Sequence, residues 1–462
     1  MNRARSWFES VLPPLLILLA GCVVYSGSFH GEFILDDFDA IQNNHTIRRL
    51  WPLAEVLFPR HKMVTEGSTV EGRPLLNLSF ALNYAAGGLN VTGYHAANLA
   101  IHLLNGLLVF GILRRTLLRT AFHDRMAGDG RQLAFLIALL WVIHPLQTES
   151  VTYIAQRAET LAGLFYLLTL YGFIRQLDSP HPHRWQTCAL LSCAMGMGVK
   201  EVMVTAPLVV LFYDWMFGTG SWRGVWRMRW KFHLALMLLG WGALAAVMFG
   251  AHGSNLGNVK ALLLQAGGTK DSVWAGHEVH WLDYARAQIW AVARYVRLCF
   301  WPSPLVFAYG RDIPGSFADL APSALLLGLM LAGTVFACRR RHGVGFAGAW
   351  FFVILAPTSS VVPLSGQLAA EHRMYLPLAG IVAPVLLGGW LGWRRQANRW
   401  RDKPAGIRTF KWAGTSFVVA VLIMLGGLTM ARNSQYKTAL SIWQDTLSKW
   451  PSNASAHLNV GN

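Results

Sequence analysis

Long apolar runs separated by shorter polar segments recur from one end of the chain to the other. They lie near Leu12–Phe29, Tyr94–Leu113, Leu133–Pro145, Leu161–Ile174, Trp185–Val199, Met203–Phe217, Phe232–Gly250, Pro322–Ala337, Val344–Val361, Tyr375–Trp393 and Trp412–Met430. Most approach the roughly 20 residues an α-helix needs to cross a bilayer. The pattern predicts an all-α, polytopic membrane protein with about 11 transmembrane helices. Residues 1–435 would form the membrane domain. The polar stretch 30–93 predicts a large first extracytoplasmic loop, and 252–321 a second one. Within the second, Trp281–Trp301 is apolar enough to enter the membrane. A full crossing there would turn Arg339–Arg341 outward, so this stretch is expected to be re-entrant or interfacial.

Composition fits this class. Of 462 residues, 54% are hydrophobic and 14% charged, against roughly 25% charged in soluble domains. A soluble domain or a β-barrel would need a different composition. The net charge of +17 would suggest nucleic acid if it were spread evenly. It is not. With the N-terminus inside, the expected cytoplasmic segments, from Arg3 and Arg5 through Arg339–Arg341 to Lys411, hold 23 of the 40 Lys and Arg. They hold only six of the 23 Asp and Glu. The excess is a topology signal of the positive-inside kind, with the C-terminus outside and no nucleic-acid partner. The five cysteines lie in or beside apolar runs and read as small hydrophobes. His144 and Glu149 would supply two metal ligands, too few for a site. No metal or other cofactor is expected to be required.

The candidate chemistry lies at the extracytoplasmic helix junctions. Asp36 and Asp37 follow the first apolar run directly. Paired carboxylates there suit a base working on a lipid-borne donor, although the same residues suit a plain helix cap. Asn43, Asn44 and the run Glu71–Leu75 follow in the same loop. Later junctions carry His144 and Glu149, then Arg157 and Glu159, then Lys200 and Glu201, then Glu371, Arg373 and Tyr375. Adjacent opposite charges such as Lys200/Glu201 or Arg157/Glu159 can pair structurally. Charge at membrane depth also marks a functional cavity by default. A bound phosphate would need a cation such as Arg373 or Lys200.

The segments FILDDFDAIQNN, GRPLLNLSFALNY, GYHAANLAIHLLNGLLVF, HPLQTESVTYIAQRAETLAGLFYLL, GVKE and AEHRMYLPLAG occur in that order. Together they resemble the membrane half of the transmembrane and tetratricopeptide-repeat O-mannosyltransferases. The tail SIWQDTLSKWPSNASAHLNVGN resembles the lead-in to a first tetratricopeptide repeat, so 436–462 reads as the start of a truncated repeat region. The resemblance implies C-type glycosyltransferase architecture. It implies transfer of a sugar, mannose in the animal relatives, from a polyprenyl-phosphate donor to a protein Ser/Thr or other hydroxyl acceptor. It places the family's acidic pair on Asp36 and Asp37, with Asp36 as base. It also places later motifs on His144, Glu149, Arg157, Glu159, Lys200, Glu201, Glu371, Arg373 and Tyr375. The segment from His252 to Trp281 matches no motif of the family. Compact loops suggest a bacterial inner membrane with the site facing the periplasm.

The implied chemistry is a single inverting displacement. A hydroxyl attacks the anomeric carbon with help from a general base, and the lipid phosphate leaves from the other face. Cations holding that phosphate would reduce the need for an acid. Two other classes compete: a multi-pass transporter and a repeat-bearing membrane scaffold. A transporter predicts inverted repeats between its halves, and none is visible in the sequence. A scaffold does not need charge at so many outside junctions. Consecutive residues of an extended loop point opposite ways, so Asp36 and Asp37 are expected to split roles.

Overall fold

The computed structural model describes residues 2–59, 65, 68–119, 128–252, 272–274, 277–279, 281–309, 317–359, 368–399 and 404–461. Within these the regular structure is helical apart from one short hairpin, Ser272–Trp274 paired antiparallel with His277–Val279. In the second loop, residues 253–271, 275–276, 280 and 310–316 lie outside the described residues.

All the expected apolar runs fall on helices, but not all as full spans. Among the described residues, seven helical stretches are long and apolar enough to cross a membrane. They carry the first, second, fourth, sixth, seventh, eighth and last of the expected runs. The third run sits on Gly130–Ile143, which bends by 53° at a break before Pro145–Thr152; counted as one span it makes an eighth. Pro145 lacks an N–H and disfavours helix at the residue before it, so the break falls at His144. Trp185–Val199 lies on the 16-residue helix Pro182–Met197, and Val344–Val361 on the 13-residue helix Gly343–Leu355. These are short for a span by length alone. Tyr375–Trp393 falls on Leu378–Arg399, which is not among the seven. Large apolar side chains face outward along the spans, including Leu19, Leu329, Phe417 and Ile423. In a multi-pass membrane protein this is the lipid-facing surface.

The helices that position the site are α1 (Asn2–Val24), α4 (Val91–Leu117), α5 (Gly130–Ile143), α7 (Arg157–Asp178) and α8 (Pro182–Met197). Two short ones, α2 (Leu53–Leu57) and α3 (Pro74–Gly87), belong to the first loop, and α6 (Thr148–Thr152) to the third junction. The main core joins α1, α4, α5 and α7 through residues such as Ile17, Phe110, Trp141 and Phe173.

The first loop is folded rather than open. Its own apolar cluster holds Phe33, Ile41, Ile47, Val56, Leu76 and Phe80, closed by Tyr94, Ile154 and Ala158 from the bundle. Asn44 and Asn77 tie it together: Asn44 Nδ2 donates to Asn77 Oδ1 at 2.9 Å, and Asn77 Nδ2 to the Val56 carbonyl at 2.7 Å. The motif Gly72-Arg73-Pro74 acquires a residue-by-residue reason. Gly72 has φ +66°, which favours glycine. Arg73 bridges to Glu201, and Pro74 opens α3 at the position where a missing N–H costs nothing. Trp281–Phe300 forms one unbroken helix with Asp283, Arg286, Arg294 and Arg297 along it.

Candidate active site

Four chain segments reach the same end of the bundle through one device, a tight helical turn. His144 precedes the turn Pro145–Gln147, Lys200 precedes Glu201–Thr205, and Ala370 precedes Glu371–Met374. The fourth is the turn at Asp36 and Asp37, preceded by Leu35 with φ +45° and followed by Phe38–Gln42. Helix breaks leave backbone N–H and C=O groups to be satisfied. At membrane depth only protein groups can do this. Polar side chains are therefore drawn to these junctions, some to hold backbone and some to face each other.

Asp36 and Asp37 have different surroundings, though not because an extended loop points them opposite ways. The backbone here is helical: Asp37 has φ −63° and ψ −30°. Asp37 is buried. Its Oδ2 accepts the Ile34 N–H at 3.0 Å and its Oδ1 the Ala155 N–H at 2.6 Å. Both oxygens hold backbone, one bond closing the turn and the other pinning it to the Tyr153–Arg157 junction. Asp36 is half-buried. Its N–H donates to the Tyr153 hydroxyl at 2.9 Å, and Thr69 Oγ1 lies 3.4 Å from its Oδ2. Burial raises the Asp36 carboxyl above its ordinary range, against the Tyr153 and Thr69 hydroxyls.

Facing this turn is a charged cluster. His372 is buried; its N–H donates to Glu149 Oε2 at 3.0 Å, and its Nδ1 lies 2.7 Å from Glu149 Oε1. Its Nε2 is 3.9 Å from Glu159 Oε1, which also accepts Lys200 Nζ at 2.7 Å. Burial first, then the Lys200 cation, pushes His372 down to about 3. A neutral His372 donates Nδ1–H to Glu149, which leaves Nε2 an acceptor facing the cluster. Arg373 is half-buried, with Nη1 3.3 Å from the Leu368 carbonyl, 3.4 Å from Ser359 Oγ and 3.5 Å from Gln288 Oε1. Glu149, Glu159, Lys200 and His372 are thus in one network, with Asp36 near enough to His372 to act on it electrostatically.

The remaining sequence candidates hold structure. Glu371 is buried and gives Oε1 to the Val306 N–H at 2.7 Å and the Tyr309 hydroxyl at 2.6 Å. Burial raises its carboxyl to about 7. His144 accepts the Leu146 N–H on Nδ1 and directs Nε2 at the Cys299 carbonyl. Both nitrogens are engaged, so the His144/Glu149 metal pairing is replaced by a turn cap and a Glu149–His372 pair. No group of three or more His, Cys, Asp or Glu suited to a metal occurs among the described residues. The Tyr375 hydroxyl sits on Asn105 and His102, deep in the bundle. Arg157 is fully buried and pairs with no carboxylate among the described residues: it donates to Asn98, Asn83 and the Ser79 and Tyr94 carbonyls, and stacks over Phe80.

The adjacent-charge pairings expected from sequence are crossed. Lys200 pairs with Glu159, forty-one positions away, while Glu201 is exposed and pairs with Arg73 at 3.1 Å. Lys200 has extended backbone just before the 3₁₀ turn that begins at Glu201, so the two neighbouring side chains diverge, Lys200 inward and Glu201 outward.

Sequence reasoning passed over His372, although it stood inside a quoted motif. It also passed over a strap, residues 301–309, between the site and the C-terminal helices. Phe307 stacks edge-on against Tyr153, Tyr436 and Trp443. Lys449 Nζ donates to the Leu305 carbonyl, and Asn453 to that of Ala308. Through Tyr153 and Glu371 this strap touches both turns of the site. Its only sequence signal was a run of aromatic residues beside two prolines.

No family model matches the chain. Protein O-mannosyl-transferase TMTC4 of Mus musculus is 25% identical over 508 aligned residues, covering 98% of this chain and 64% of that protein. TMTC1 of the same species is 36% identical over 219, covering 43% and 21%. By sequence the chain is similar to the TMTC protein O-mannosyl-transferases. It spans about a fifth to two thirds of the length of these TMTC relatives. Among solved structures, ArnT from Cupriavidus metallidurans, crystallised with undecaprenyl phosphate, aligns over 97% of this chain and 77% of its own. The TM-score is 0.48 and the identity 14%.

Proposed function

We propose that this chain is a TMTC-type membrane glycosyltransferase that moves a sugar, mannose, from a polyprenyl-phosphate carrier to a hydroxyl acceptor, a protein Ser or Thr. Its fold would be of the C-type glycosyltransferase kind. The observation that carries the reading is the division at the first loop. Asp37 is consumed by backbone N–H groups, while Asp36 keeps a carboxylate of raised basicity beside a cluster of cations and carboxylates. A half-buried carboxylate is suited to accept the acceptor's proton. Lys200 and Arg373 supply positive charge for the leaving phosphate, Arg373 through a planar fork. The acceptor oxygen bonds to the anomeric carbon, its proton goes to Asp36, and the carbon–phosphate oxygen bond breaks with its electrons on the phosphate. The relatives are named for O-mannosyl transfer, which supports mannose as the sugar.

The site would face the extracytoplasmic side, with Arg339–Arg341 inside and Ser452 outside. The relatives named here are animal proteins and lend no support to a bacterial membrane. The test of activity is reconstituted protein with radiolabelled polyprenyl-phosphate mannose and a peptide acceptor pool. Label on peptide in wild type and none in Asp36→Asn is expected; equal label in both sinks the reading. For sidedness, an impermeant reagent should leave a cysteine at position 340 unlabelled in intact cells.

A further inference from the structure

At the other end of the bundle from Asp36 the helices line a half-open apolar cavity of about 450 Å³. Helix α4 gives the separation. Asn98 holds Arg157 beside the site, whereas Ile112 lines the cavity, and the residues between them span about 21 Å of helix. The walls are side chains such as Leu113, Leu170, Phe346 and Leu387. The two hydroxyls in the wall, Thr116 and Tyr213, bond to each other at 2.7 Å. Water would find too few partners here. Left empty, the walls would lose dispersion contacts on one side. In a bilayer, the occupant that answers both conditions is a hydrocarbon chain.

The mouth selects the headgroup. Arg339, Arg340 and Arg341 are exposed and lie in sequence between the lining residues Ala337 and His342. The Arg340 guanidinium sits 5.5 Å over the ring of Phe336, itself a lining residue. Arg119 donates to the carbonyl of Phe217, another wall residue, at 3.2 Å. Guanidinium groups match phosphate oxygens in geometry and charge. Basic pockets between membrane helices recognise anionic lipid headgroups in this way. We propose that the cavity holds an acyl chain of an anionic glycerophospholipid, with its phosphate against Arg339–Arg341. The site is separate from the transferase reading and does not depend on it.

The test uses the full chain, purified in detergent and stripped of lipid. Dioleoyl phosphatidylglycerol and dioleoyl phosphatidylcholine, which share their tails, are added at equal concentration and retention is read by native mass spectrometry. Wild type should favour the anionic lipid about fivefold or more, the scale expected from one arginine at a headgroup. Arg340→Gln with Arg341→Gln should erase that preference. Ala347→Phe, which fills the cavity, should reduce retention of both lipids, and Ala383→Phe provides a second filling variant should the first unfold. Equal retention of the two lipids by wild type overturns the proposal, as does an unchanged preference in the arginine variant. Displacement of phosphatidylglycerol by a polyprenyl phosphate at lower concentration also overturns it, by assigning the cavity to the carrier's tail.

Discussion

Two turns meet at the candidate site, and they divide their labour in opposite order. In the first, Asp36 faces the cluster and Asp37 holds backbone. In the second, Glu371 holds the 301–309 strap, and His372, the residue after it, pairs with Glu149 in the cluster. Each turn spends one carboxylate on buried N–H or O–H donors, because an unsatisfied buried donor costs about 1–3 kcal/mol. The lesson is that charged neighbours in a motif are not equivalent candidates. The one with two backbone or hydroxyl donors at bonding distance is fixing the turn. The other is left as the candidate for chemistry.

The widest gap between the two halves of each turn is expected in the first. Asp36→Asn removes the proposed base and should cut transfer by about 10²- to 10⁴-fold while leaving the melting temperature unchanged. Asp37→Ala should instead lower the melting temperature, since it orphans the Ile34 and Ala155 N–H groups. A thermostable but inactive Asp37→Ala protein would break the comparison.

The cluster ion pair comes next. Glu159→Gln leaves Lys200 buried without its carboxylate, a change of the kind that costs about 3–5 kcal/mol. Thermal unfolding in detergent should register it. Glu201→Gln, at the exposed pair with Arg73, should cost no more than about 1 kcal/mol. Similar losses from both would mean that the crossed pairing does not hold in the protein.

In the second turn, Arg373→Lys should raise the KM for the donor with a smaller effect on the melting temperature. Glu371→Ala should show the reverse, losing about 1–3 kcal/mol of stability through the Val306 N–H and Tyr309 hydroxyl. Unchanged donor affinity in Arg373→Ala removes that residue from the phosphate site.

The smallest effect sharpens the role of Asp36. A base works when deprotonated, and burial raises this carboxyl. Activity should therefore fail on acidification at a higher pH than an ordinary aspartate, near 3.9, would give. The Tyr153 hydroxyl lowers the same group, so Tyr153→Phe should move the acid limb of kcat/KM further up. A downward shift would show that Tyr153 acts on Asp36 only through packing.

How much of this was legible in the sequence depends on the range of the interaction. Helix positions, the membrane class and the junctions that gather charge follow from the spacing of apolar residues and from Pro145 and the residues around it. These are local or periodic properties, and the chain carries them residue by residue. The motif positions Asp36, Glu149, Glu159 and Lys200 were likewise visible as charge where charge is costly. Partnerships were not. Lys200 finds Glu159 rather than Glu201, Arg157 takes Asn98 and Asn83 rather than Glu159, and Tyr153 reaches Asp36 across 117 positions. Span count also escaped the sequence in part, because hydropathy does not report where Gly130–Ile143 bends or how short Gly343–Leu355 is. A sequence sets which groups must be satisfied and roughly where the helices run. Only helix packing brings distant donors and acceptors within 3 Å, and that distance decides which carboxylate is structural and which remains to react.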